Sequence, residues 1–217
     1  MNAFKFSSLI ALSLALTIGL SACVKPEKPA DVSATIQPSA ETDDLASADL
    51  EKTPIGSFVT EDADGNEITE AVFANAELTM LNVWATFCGY CIDEMPILDQ
   101  LAGEYADQGF QVIGLIGDVG DRQGGYTADE MASVADIAKK AGANYPTMMP
   151  TEDMIESVLW NVRAYPTTMF VDRTGNILGK VVIGVRDENA WRDMIESYLE
   201  SVAQQDATIV DAAEPMM

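Results

Sequence analysis

Along the middle of the chain, short apolar runs alternate with stripes at helical spacing. Leu78–Ala85 (LTMLNVWA) and Gln111–Gly117 (QVIGLIG) are compact runs of apolar, β-forming residues and predict buried strands. Between them Ile92, Met95, Leu98, Leu101 and Tyr105 recur on related faces, which predicts a helix and hence a βαβ unit. Thr127 with Glu130 forms a capping-box pattern, and Met131, Val134, Ala138 and Ala141 continue it as one apolar stripe. A shorter helix is expected from about Glu152 to Val162. Two further runs, TTMFVD and LGKVVIGV, are joined by RTGN, whose Gly175 and Asn176 suit a hairpin turn. A closing helix, Glu188–Ala203, points Trp191, Ile195, Tyr198 and Val202 inward. Parallel strands followed by a hairpin and a helix describe an α/β domain, a central mixed β-sheet flanked by helices. That architecture suits a thioredoxin-like fold, and periodicity alone also allows other α/β sandwiches.

The two ends read differently. Lys5 precedes an apolar run, Leu9–Leu20, that fits the core of an export signal and falls short of the ~20 residues needed to span a bilayer. The run ends in Leu20, Ser21, Ala22 and Cys23, a pattern that resembles a bacterial lipobox, in which Cys23 becomes the lipidated first residue after cleavage. The competing reading is an ordinary secretory cleavage site in which Cys23 is one small residue among others. Residues 1–22 are thus expected to be a signal peptide. Residues 23–52 are expected to be a flexible tether, because Lys, Pro, Ala, Asp, Ser, Glu and Thr dominate there and no period persists. The folded domain is placed at residues 53–205, and residues 206–217 are expected to be a disordered tail.

Charge and composition then exclude whole classes. The formal charge is −23, from 35 acidic against 12 basic residues, so nucleic acid is not an expected partner. Contact with an anionic lipid surface is repulsive too, so membrane attachment has to rest on acyl chains at Cys23. Histidine is absent, which removes Ser-His-Asp triads, Cys-His nucleophile pairs and His-containing zinc sites together.

Two of the three cysteines lie in WATFCGYCIDEMP. Cys88 falls just after the first predicted strand at the start of the helix, and Cys91 lies one turn further on the same face, so the two can reach each other. Free amides and the dipole at a helix N-terminus favour a thiolate, which makes Cys88 the expected nucleophile and Cys91 the resolving thiol. A purely structural disulfide between residues this close constrains almost no loop, and a zinc site lacks its other ligands. Two inert buried cysteines remain the bland alternative. The order strand, CxxC, helix favours redox chemistry.

The span from about Pro54 to Ala203 resembles the TlpA/ResA-like branch of the thioredoxin superfamily. LNVWATFCGYCIDEMP is similar to its active-site signature, YPTTMFVDRTGNI to its proline-loop segment, and Gly184 to a glycine late in the domain. The resemblance implies a membrane-anchored thiol-disulfide oxidoreductase on the extracytoplasmic face of the cell envelope, acting as a reductase. Its partners would be an integral membrane electron donor and client proteins with disulfides, with apocytochrome c or methionine sulfoxide reductase as candidates. It further implies that Pro166 is a cis-proline facing the cysteine pair, with Tyr165 and Thr167 beside it to dock substrate backbone. No cofactor is expected beyond the redox-active Cys88–Cys91 pair, and no metal. Glu94 matches a glutamate of the family's E-x-P element and is a candidate acceptor for the Cys91 proton, against the alternative of a solvated acid in the first turns. Asp93 is expected in solvent, Pro96 to kink or reset the helix, and Trp84 and Phe87 to pack around the site. Phe87 stands where many relatives have tryptophan, and Gly89–Tyr90 lacks the residues that mark reductases or oxidases. A disulfide-forming oxidase and a non-catalytic binding module are therefore the alternatives. A peroxidase lacks a recognisable context at Cys88, and copper delivery lacks the histidine that related metallochaperones use.

Overall fold

The sheet is organised around β4 (Leu78–Trp84), all seven residues of which are buried. Leu78, Met80 and Trp84 join one apolar cluster, while Leu81 and Val83 join the other. This period of two across a strand covered on both faces explains why apolar residues fall on both sides of it rather than on alternate positions only, with Thr79 and Asn82 as its buried polar members. β5 (Phe110–Ile116) lies parallel to β4, pairing Leu78 with Phe110 through Trp84 with Ile116. On its other side β4 pairs antiparallel with β7 (Thr167–Asp172), which forms a hairpin with β8 (Asn176–Ile183). Gly175 takes φ 80° in that turn, as the RTGN segment requires.

The computed structural model describes residues 52–213. Within them the main sheet has the order β1-β8-β7-β4-β5-β6, where β1 is Lys52–Pro54 and β6 is Thr147–Met148. A small separate hairpin is made by β2 (Val59–Glu61) and β3 (Glu67–Thr69). One face of the sheet is covered by α1 (Gly89–Tyr105), α2 (Ala128–Ala141) and α4 (Glu188–Ala213), which contribute Met95 and Leu98, Val134 and Ala138, and Trp191 and Ile195 to a shared core. The other face is covered by Phe58, Phe73 and Met154, the last from α3 (Glu152–Ser157). Each such fully buried side chain contributes roughly 1.5–3 kcal/mol, so these two layers supply most of the cohesion.

The mixed, helix-flanked sheet is the expected one, with differences at its margins. α3 ends at Ser157 and gives way to a 3-10 turn, Leu159–Asn161, so the expected helix to Val162 is two short pieces. α1 runs through Pro96 as one helix. The end of the domain differs more. α4 continues to Ala213, past the expected end at Ala203 and into the segment expected to be a disordered tail. A loss of apolar stripe does not stop a helix that is already nucleated, and the sequence offers no glycine or proline before Pro215. The expected signal peptide, Cys23 and the tether up to residue 51 lie outside the described residues, as do residues 214–217.

Candidate active site

Cys88 is the N-cap of α1, with Cys91 in the first turn behind it. A tight turn delivers it there: the Cys88 amide donates to the Ala85 carbonyl at 3.0 Å, directly after β4. The Cys91 amide in turn donates to Cys88 Sγ at 3.2 Å. Cys88 and Cys91 form a disulfide with a Cα–Cα distance of 5.3 Å. Cys88 is 8% exposed and Cys91 1%, so an incoming group meets Cys88 first. In the reduced protein the amide donor and the positive end of the α1 dipole at Sγ both favour the Cys88 thiolate.

Glu94 lies one turn beyond Cys91 and is buried, not solvated, at 3% exposure. Its Oε1 accepts two hydrogen bonds of 2.8 Å, from the Arg186 amide and from Trp191 Nε1. Its Oε2 is buried and has no hydrogen-bonding partner. Burial pushes the carboxyl above its ordinary range, against the pull of the two donors and of the Arg186 charge. Asp93 is exposed, as expected.

An open groove of about 770 Å³ runs past Cys88, lined among others by Phe87, Tyr90, Val162, Arg163 and Tyr165. Trp84 is fully buried, whereas Phe87 is 76% exposed and stands edge-on to Tyr165 at 6.1 Å between ring centroids. Phe87 therefore stands beside the site as an exposed wall of the groove. The Tyr165–Pro166 peptide bond is cis. Of the three residues expected to dock substrate, Tyr165 lines the groove, but its hydroxyl is committed to the Gly117 carbonyl at 2.8 Å. Thr167 is 2% exposed, paired within the sheet to both Val83 and Ile183, and its hydroxyl donates to the Ala164 carbonyl. Pro166 is buried, and its carbonyl accepts from the Gly184 amide. Two further residues support the site without a sequence signal: Asp118, which accepts from Thr86 at the base of the Cys88 loop, and Arg186, whose amide donates to Glu94. Neither has a local motif. Cys23 lies outside the described residues. Among the described residues no cluster of acidic or thiol side chains is arranged to hold a metal.

The chain is similar to known proteins. The chain is 26% identical over 160 residues to the thiol-disulfide oxidoreductase ResA of a Bacillus cereus strain, covering 71% of this chain and 82% of that one. ResA of Geobacillus kaustophilus is 27% identical over 145 residues, 67% of this chain and 74% of the relative. Among solved structures, a thiol:disulfide interchange protein of the thioredoxin family from Chlorobium tepidum TLS superposes with a TM-score of 0.56 at 25% identity, covering 70% of this chain and 99% of that one. The fold is accordingly thioredoxin-like. Because the AhpC/TSA family model matches residues 52–180, from β1 into β8 and so across both the cysteine pair and the Pro166 loop, the chain belongs to the AhpC/TSA family.

Proposed function

We propose that the protein is a thiol-disulfide oxidoreductase, anchored through lipidated Cys23 to the extracytoplasmic face of the cell envelope, that reduces disulfides of client proteins. The observation that carries the exchange chemistry is the Cys88–Cys91 disulfide at the N-cap of α1, with its outer cysteine opening onto a groove. The names of the relatives support the same chemistry. In the reduced state the Cys88 thiolate attacks a client disulfide, forming a mixed disulfide and expelling one client thiolate. Cys91 then attacks Cys88 Sγ, the client leaves with both sulfurs reduced, and the enzyme keeps the disulfide. Two electrons pass from enzyme to client, and an integral membrane donor restores them. Buried Glu94, one turn beyond Cys91, takes the Cys91 proton as the mixed disulfide resolves. Client disulfides in apocytochrome c or in methionine sulfoxide reductase fit this role, and no cofactor beyond the cysteine pair is required. The Leu-Ser-Ala-Cys run ending at Cys23 supports the anchor.

The test is to make Cys91→Ser in cells and isolate adducts on Cys88. Client proteins held by a reducible bond, and their absence with Cys88→Ser, are expected; no adducts would count against exchange. A measured potential near that of the strong oxidants rather than near thioredoxin's ~−270 mV would reverse the direction. Failure of Cys23→Ser to release the protein from membranes would remove the anchor.

A further inference from the structure

The parallel strands β4 and β5 remain joined beyond their ends. After Trp84 and Ile116, the last pair of the ladder, the Gly117 amide donates to the Trp84 carbonyl at 2.9 Å. One step further, Asp118 takes both donors of Thr86: its Oδ1 accepts the backbone amide at 2.9 Å and its Oδ2 the hydroxyl at 2.5 Å. A carboxylate gripping two donors of a single residue fixes that residue's position and orientation, and hydrogen bonds to an ionised acceptor are about twice as strong as neutral ones. Thr86 lies in the three-residue connection Ala85–Phe87 that leads to Cys88.

We propose that Asp118 is a positioning residue for thiol exchange, holding through Thr86 the loop that presents Cys88 to the incoming disulfide. The demand for such a clamp is set by the reaction itself. While Cys88 and Cys91 are bonded, the disulfide ties the loop to α1; once they are reduced, that covalent tie is gone just when Cys88 has to attack along a defined line. The Asp118–Thr86 bonds involve neither sulfur and persist through the cycle. The same short segment serves the opposite wall of the groove, because the Gly117 carbonyl accepts from the Tyr165 hydroxyl at 2.8 Å. Residues 117 and 118 thus hold together the loop bearing the nucleophile and the loop preceding Pro166.

This inference rests on the exchange reading above, and one experiment separates them. Reduced wild type and the variants Asp118→Ala, Asp118→Asn, Thr86→Val and Thr86→Ser are reacted with oxidised glutathione, and the rate of Cys88 adduct formation is followed alongside a thermal melt. Misplacement of a reacting atom by about 1 Å is enough to cost up to 100-fold, so Asp118→Ala and Thr86→Val are each expected to slow the reaction about tenfold. Thr86→Ser keeps both donors and should stay within about twofold of wild type, while Asp118→Asn, with one acceptor left, should fall between. The double variant Asp118→Ala/Thr86→Val should be no slower than Asp118→Ala alone, since each single change breaks the same contact. A general loss of packing would give neither the serine rescue nor that non-additivity. Additive losses, or Asp118→Ala and Asp118→Asn both reacting at the wild-type rate, would overturn the clamp while leaving the exchange chemistry standing. A wild type that does not exchange would overturn both.

Discussion

Trp191 on α4 donates its indole N–H to Glu94 Oε1 on α1 at 2.8 Å, across 97 residues of sequence. The Arg186 amide reaches the same oxygen at 2.8 Å, so both donors crowd one side of the carboxyl while buried Oε2 stays without a partner. Such a group is an acceptor on one oxygen and a place for a proton on the other. Its raised pKa, caused first by burial, keeps the neutral form accessible closer to neutral pH than in an ordinary glutamate.

That shift makes a stability prediction with a definite sign. A carboxyl whose folded pKa is raised binds its proton more tightly in the folded state, so its contribution is fully present below the unfolded value of about 4.3 and is lost as pH rises through the raised folded value. Glu94→Gln keeps an oxygen for Trp191 and Arg186 but cannot titrate. The difference in unfolding free energy, wild type minus Glu94→Gln, should therefore fall from pH 4 toward pH 8, as read by urea titrations at each pH. A flat difference would mean that Glu94 is not held at a raised pKa.

The same variant should separate the two halves of exchange. Cys88 attack precedes any need for a base at Cys91, so first-adduct formation with oxidised glutathione should stay within about twofold of wild type. Resolution by Cys91 should slow about 100-fold, the lower end of what a positioned general base contributes, and the mixed disulfide should accumulate. Stopped-flow quenching followed by mass spectrometry distinguishes the species. Equal slowing of both steps would sink the proton-acceptor role.

These features were unequally visible in the sequence. β4, β5 and β7 could be read because they are buried on both faces, which gives each of them consecutive apolar residues rather than strict alternation. β1, β2, β3 and β6 have two or three residues each, too few for any period, and exist only because distant partners complete their hydrogen bonds. The cysteine pair was legible because strand, CxxC and helix follow one another locally. The burial of Glu94 was not, because Arg186 and Trp191 approach from 92 and 97 residues away. Asp118 meets Thr86 across 32 residues by the same kind of non-local contact. The exposure of Phe87 was not legible for a related reason, since an aromatic residue beside an active site reads alike whether it fills the core or lines a groove.

Asp172 should be a stabilising residue with the opposite pH behaviour to Glu94. Burial pushes its carboxyl up, but the Thr174 hydroxyl, the Asn176 amide, the Lys52 ammonium and the Thr174 amide together outweigh this and hold it below its usual range. The four contacts run from 2.6 to 3.0 Å, and they tie the β7–β8 turn and the start of β1 to one side chain. Stability from a lowered carboxyl is present above the unfolded pKa of about 3.9 and is lost as pH falls through the folded value. Asp172→Ala should cost about 2–3 kcal/mol at pH 7, a buried charged acceptor being removed, and distinctly less at pH 3. Urea unfolding at the two pH values measures this, and a cost that does not shrink in acid would assign it to packing instead.

Gly117→Ala should disturb the groove from below. A Cβ built on Gly117 would stand 2.6 Å from the Tyr165 hydroxyl and 2.8 Å from its Cε1, closer than such contacts occur, so the ring has to move. Moving it gives up the hydrogen bond to the Gly117 carbonyl and the edge contact with Phe87, and with them one wall beside Cys88. Overpacking of this kind costs about 1–3 kcal/mol of stability. The two cysteines and Glu94 are untouched, so reaction of Cys88 with small oxidised glutathione should change by less than about threefold. Exchange with a protein disulfide, which has to lie in the groove, should show a raised KM of about tenfold, corresponding to the loss of roughly 1.4 kcal/mol of binding. Tyr165→Phe in the same background removes the atom in closest conflict while leaving Cε1, and should recover part of the stability. An unchanged KM for the protein substrate in Gly117→Ala would show that the Tyr165 wall takes no part in docking.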